Sequence, residues 1–154
     1  MDLTRVLKVE SVARLNPTSP WQVLPGATVA EAVHMMREKS VGCVLVSENR
    51  RIVGIFTERD LLRRVLGAGL PLSTAVSDVM TPNPEVVQPR DPIAKAIRRM
   101  EDGGYRHLPV VIDERPVGML SVKRIVHYLV EHFPGVVYNL PPDPQAVQLK
   151  REGA

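Results

Sequence analysis

Two copies of one pattern run along the chain, and a tandem repeat restricts the fold more than any single motif can. Ala30 and Ala94 stand 64 residues apart (94 − 30), and this offset also takes Met36 to Met100, Val46 to Val110 and Arg51 to Arg115. It takes Val53 to Val117, Gly54 to Gly118, Thr57 to Ser121 and Arg59 to Lys123. Residues 25–62 set against 89–126 without a gap give 8 identities in 38 positions, and apolar residues coincide at many of the others. Chance can supply the identities, but hardly the shared pattern with them.

Each copy reads as a β-α-β-β-α unit. A short apolar strand opens it, at 22–24 and at 85–87, and an amphipathic helix follows. Thr28-Val29-Ala30-Glu31 has the form of a capping box, with the hydroxyl at the N-cap and the acid three residues on. In the second copy Asp91 is expected to cap and Pro92 to take the first helical position, where a missing N–H costs nothing. Val29, Ala32, Val33 and Met36 recur at helical spacing, as do Ile93, Ala96, Ile97 and Met100. Strands are expected at 43–46 and 52–56, then at 107–112 and 117–120. Glu48-Asn49-Arg50 and Asp113-Glu114-Arg115 are polar turns between apolar runs, the mark of a hairpin. Helices at 58–66 and 122–132 close the units, ended by Gly67 and Gly69 and by Pro134-Gly135.

The expected organisation is an N-terminal segment 1–20, a first unit 21–67, a connector 68–84, a second unit 85–132 and a tail 133–154. A short helix is expected at 74–80 within the connector. Pro141, Pro142 and Pro144 argue against regular structure in the tail. Its apolar Val136, Val137, Tyr138 and Leu140 are candidates to dock on the body or on a second subunit. A unit of about 60 residues is marginal alone. The expected fold is therefore α/β (α+β), a pseudo-two-fold pair packed sheet against sheet with clefts where the units meet.

Composition narrows the function. Of 154 residues 44% are hydrophobic, enough for a core and against wholesale disorder. Lys and Arg number 20 against 17 Asp and Glu, a formal charge of +3 too small to predict nucleic-acid binding. Cys43 is the single cysteine, which excludes an intrachain disulfide and a cysteine-rich zinc site and favours a reducing, cytoplasmic setting. No apolar run approaches the roughly 20 residues that span a bilayer, so no membrane association is expected. No nucleophile–base pair, metal-ligand cluster, Walker-type loop or dinucleotide Gly-rich turn is present, so no catalytic role and no metal are expected. His127 and His132 are five apart, which does not place them on one helix face.

The stretch with most chemical content is Gly54-Ile55-Phe56-Thr57-Glu58-Arg59-Asp60. A strand ends where a helix begins, so Thr57 falls at the N-cap and Asp60 at the third helical position. A helix start offers unpaired N–H groups to an anion. Asp60 adds two acceptor oxygens, suited to a pair of vicinal hydroxyls. Thr-x-x-acid at a helix start is equally a structural cap. Together with Met80-Thr81-Pro82 and Arg106-His107-Leu108-Pro109-Val110-Val111, this motif resembles those of tandem cystathionine-β-synthase-type (CBS) domains, over about 22–132.

That resemblance implies a regulatory module that binds an adenosine-containing nucleotide (AMP, ADP, ATP or NAD-type) between the units. It implies that Asp60 holds the ribose and Thr57 lies near phosphate, with Arg106 and His107 reaching the phosphate from the other copy. It further implies a homodimer formed through the helices and an unnamed protein target. Arg59, Ser121, Lys123 and Arg124 are candidates for the rim or for a second site. The second copy departs from the pattern, because Arg124 stands where the motif has Asp and arginine accepts no hydrogen bond. Packing alternatives accompany these readings: a sheet edge for His107, solvated helix faces for Arg59 and Lys123, core contacts for Trp21, Tyr105 and the methionines, and a buried thiol for Cys43. Two other functions fit the pattern: an S-adenosylmethionine sensor, which the basic Arg106, His107 and Lys123 disfavour, and an assembly module with vestigial sites.

Overall fold

The computed structural model describes residues 2–135. The tail residues singled out above, from Val136 onward, lie outside them. A helix α1 (Leu3–Val9) and a 3-10 turn (Val12–Leu15) lead into the first copy: β1 (Gln22–Val23), α2 (Val29–Lys39), β2 (Cys43–Glu48) and β3 (Arg51–Thr57). The turn of α3 (Glu58–Asp60) runs on as a π-helix over Leu61–Leu66. A 3-10 turn (Val76–Asp78) and β4 (Thr81–Pro82) then lead into α4 (Ile93–Gly103), β5 (His107–Ile112), β6 (Arg115–Ser121) and α5 (Val122–His132). The fold is two α/β units in tandem.

The local chemistry explains most boundaries. Thr28 Oγ1 accepts from the Glu31 N–H at 3.1 Å while the Glu31 carboxylate accepts from the Thr28 N–H, so the capping box forms as expected. Asn49 and Arg50 have φ of 53° and 65°, and Asp113 and Glu114 have 50° and 66°. Both hairpins therefore turn on two left-handed residues, the geometry that matches strand twist. Each hairpin also carries a bulge at the equivalent place, between Val46 and Ser47 and between Val110 and Val111.

Several expected elements are corrected. The opening strand of the first copy shrinks to Gln22–Val23, and that of the second to a single parallel bridge from Val87 to Val110. Pro92 itself is the N-cap of α4. Asp91 instead accepts from the Gln88 N–H at 2.8 Å and pairs with Lys95. The helix expected at 74–80 is one 3-10 turn, and the helix expected at 58–66 is α-helical only as far as Asp60.

The sheets are β1-β2-β3-β4, with β1 parallel to β2, and β5-β6. Cys43, Leu45, Ile55 and Met119 pack between the two sheets. The other two cores are built by exchange. Val12 and Leu15, from the N-terminal segment, are buried with Ile93, Leu108 and Leu120 of the second copy. Val76 and Val79, from the connector, are buried with Val29, Val44 and Phe56 of the first. The hydrogen bonds repeat the exchange: Val12 N–H donates to Asp91 O at 2.8 Å, and Val76 N–H to Ala27 O at 2.7 Å. The motif glycines permit it. A Cβ on Gly118 would stand 2.9 Å from Pro17 Cβ and close to the Thr18 backbone, so glycine there lets the crossing segment lie on the strand, while one on Gly54 would push the Met80 side chain aside.

Candidate functional site

Besides an open hollow of about 1110 Å³ between the hairpin turns, walled by Glu48, Arg51, Asp113 and Arg115, two cavities lie between the copies at the helix starts. The smaller, about 300 Å³, is walled by Thr57 and Arg59 from the β3–α3 junction, Thr81 from β4, and Tyr105, Arg106 and His107 from the start of β5. The larger, about 790 Å³, is walled by Thr18, Trp21, Arg37, Ser121, Lys123 and Arg124. Gly42, Glu58 and His107 line both and form the partition between them.

In the smaller cavity Thr57 sits at the N-cap, its Oγ1 accepting from the Asp60 N–H at 3.2 Å. The same hydroxyl donates to Asp60 Oδ2 at 3.1 Å, and the Thr57 N–H donates to that oxygen at 3.0 Å. Thr81 Oγ1 donates to Asp60 Oδ1 at 3.1 Å, and Arg64 Nε stands 3.5 Å from it. Asp60 is therefore 6% exposed and lies behind Thr57 and Thr81, not in the cavity wall. The carboxylate that the sequence places at the front of the site also acts as the reciprocal partner of a capping box and ties the helix start to the crossing segment.

Opposite it, Arg106 is exposed and makes no ion pair among the described residues. Burial pushes the His107 imidazole below its usual range, Glu58 opposes that shift, and Arg106 adds to it. His107 is thus held neutral near pH 7 while it faces both cavities. Arg59 shares the smaller cavity with them. Ser121, Lys123 and Arg124 do not; they belong to the larger one. There Ser121 Oγ accepts from the Arg124 N–H, and Arg124 Nε donates to Asn16 O at 2.9 Å.

The singletons divide. Cys43 is 4% exposed, and burial followed by the nearby Glu58 charge pushes its thiol up to about 12, so it stays protonated. Trp21 lines the larger cavity with the Lys39 ammonium 4.3 Å from its ring centroid, and Tyr105 lines the smaller. Sequence reasoning did not single out Thr81, Glu58, Gly42 or Arg37 as wall residues. Thr81 and Glu58 stand within motifs of the sequence, and no local signal marks Gly42 or Arg37.

Two exchanged α/β units with cavities at their junction define a tandem domain pair. The CBS domain family model matches residues 12–67 and 76–131, and the chain belongs to the CBS domain family. That match begins at residue 12, in the segment that the exchange places in the second core. Among relatives, it is 40% identical over 67% of its length to the meiotically up-regulated gene 70 protein of Schizosaccharomyces pombe, covering 14% of that protein. It is 37% identical over 68% of its length to the mitochondrial CBS domain-containing protein CBSX3 of Arabidopsis thaliana, covering 54% of that protein. The chain thus spans well under two thirds of these curated relatives. Among solved structures, a CBS domain protein from Pyrobaculum aerophilum complexed with AMP superposes with a TM-score of 0.72 at 25% identity. That match covers 79% of this chain and 97% of the other. No helix among the described residues is long and apolar enough to cross a membrane.

Proposed function

We propose that the protein is a regulatory sensor, not a catalyst, and that its smaller cavity takes an adenosine nucleotide, with AMP the first ligand to test. One observation carries this reading: a hydroxyl of the first copy backed by a carboxylate (Thr57 and Asp60) and a basic pair of the second copy (Arg106 and His107) meet at one cavity. Sugar hydroxyls suit the first and a phosphate the second. The AMP complex of the Pyrobaculum protein supports the ligand class. Binding signals by favouring one arrangement of the two copies, and a partner reads the difference; only unequal affinity for two states can do this.

A second copy is the proposed first partner. Leu62 and Leu66 beyond α3, and Val122, Val126 and Val130 on α5, are exposed apolar residues at helical spacing on equivalent helices. Native mass spectrometry of the purified protein reads retained ligand and subunit number together. Titration with AMP is expected to raise the melting temperature, and Arg106→Ala to weaken AMP about tenfold or more. Adenosine, lacking the phosphate, is expected to bind wild type and variant alike. An AMP response unchanged in Arg106→Ala sinks the proposed orientation.

His107 gives a second expectation. Its folded pKa lies below the ordinary 6.5, so above that value the shift has no effect on stability. As pH falls below it, the unfolded chain takes up a proton that the native site refuses, and stability falls until the folded pKa is passed. Denaturation midpoints are expected to drop below about pH 6.5, and less so in His107→Asn. A bound phosphate reverses the preference, so AMP binding should take up protons and tighten on mild acidification. Calorimetry in buffers of different ionisation enthalpy measures that uptake.

A further inference from the structure

The larger cavity is not a second copy of the smaller one, although the repeat relates their walls. The 64-residue offset puts Arg124 where the smaller site has Asp60, Lys123 where it has Arg59, and Ser121 where it has Thr57. On the facing wall it puts Gly42 for Arg106 and Cys43 for His107. The helix start has exchanged an acid for a cation, and small Gly42 and Cys43 stand where the other site has the Arg106 guanidinium and the His107 imidazole. The two cavities also differ in room, about 790 Å³ against 300 Å³.

Arg37 brings a third cation from α2, and Glu58, on the partition, is the one carboxylate among the described residues lining this cavity. Cys43 adds no charge, since its thiol stays protonated. Arg124 Nε is anchored on Asn16 O, which fixes the guanidinium at the wall, and no other hydrogen bond from that side chain is found among the described residues. A guanidinium has five N–H donors, so most remain for a ligand. The start of α5, an eleven-residue helix, adds partial positive charge beside them.

We infer that the larger cavity is a separate site for a di- or triphosphate group, gripped by Arg37, Lys123 and Arg124 with no demand for a sugar. A lone monophosphate leaves part of this cationic wall unused, whereas a chain of phosphates bridges it. The inference does not rest on AMP binding in the smaller cavity.

Inorganic tripolyphosphate is the probe, titrated by calorimetry at constant ionic strength with sulfate as the charge control. Wild type is expected to bind tripolyphosphate at least tenfold more tightly than sulfate. Arg124→Asp and Lys123→Glu are each expected to weaken it at least tenfold, and Arg106→Ala to leave it within twofold. Lys123 is exposed and makes no hydrogen bond or ion pair among the described residues, so its variant keeps the test open if Arg124→Asp does not fold. Adenosine is expected not to compete, and ATP to compete through its phosphates. Tripolyphosphate no tighter than sulfate overturns the inference, as does binding weakened by Arg106→Ala but not by Lys123→Glu. Failure of AMP to bind leaves these outcomes unchanged, so the two readings fall separately.

Discussion

Leu15→Ala is expected to cost about 2–5 kcal/mol of stability, the range for emptying a buried leucine position, although residue 15 precedes both repeats as the sequence divides them. Leu15 is 2% exposed and its neighbour Val12 is fully buried, both in the core of the second copy. The surrounding groups come from α4, β5, β6 and α5, which cannot collapse onto the vacated space without breaking their own packing. Val79 fills the equivalent place in the first copy and should behave alike on truncation to alanine, at lower cost because less volume is lost. Leu24, 69% exposed, serves as the control and should change stability by less than about 0.5 kcal/mol. Urea denaturation of the three variants checks this. A Leu15 variant that unfolds with the Leu24 control would mean that the N-terminal segment does not belong to the core.

Asp60→Ala is expected to destabilise the fold by about 2–4 kcal/mol, because the Thr57 N–H, the Thr81 hydroxyl and Arg64 lose their shared acceptor together. That cost confounds any ligand reading, so Asp60→Asn carries the functional test. The amide keeps one acceptor oxygen for the cap and should cost only about 1 kcal/mol. If the carboxylate also takes sugar hydroxyls, this variant should lose at least a factor of about ten in affinity for adenosine and AMP alike, unlike Arg106→Ala, which affects AMP alone. If affinity is unchanged while stability drops, Asp60 is a cap and a strut, and the sugar lies against other groups.

The candidate site was legible in part. Thr57, Arg59, Arg106 and His107 line one cavity, each at or beside the end of an element whose boundary local chemistry marks. Asp60 was read with two free oxygens, and the structure occupies both. The partner that closes the second face, Thr81, comes from 21 residues away on a crossing segment, and no periodicity records that distance. Ser121, Lys123 and Arg124, read as rim or second site, belong to the larger cavity. Arg124 in place of the acid was visible at once. The difference in room between the two cavities, about 790 Å³ against 300 Å³, was not.

The amino-acid order alone determined the doubling, the helix and strand types, the capping box at Thr28 and the two hairpin turns, since each depends on neighbours a few residues apart. Only the tertiary structure decided which copy each leading segment completes, why Gly118 must be bare, and that the clefts differ in size and lining. Those outcomes depend on contacts such as that of Thr18 with Met119, 101 residues apart, where the gain from burying Val12 and Leu15 outweighs the entropy of closing the loop.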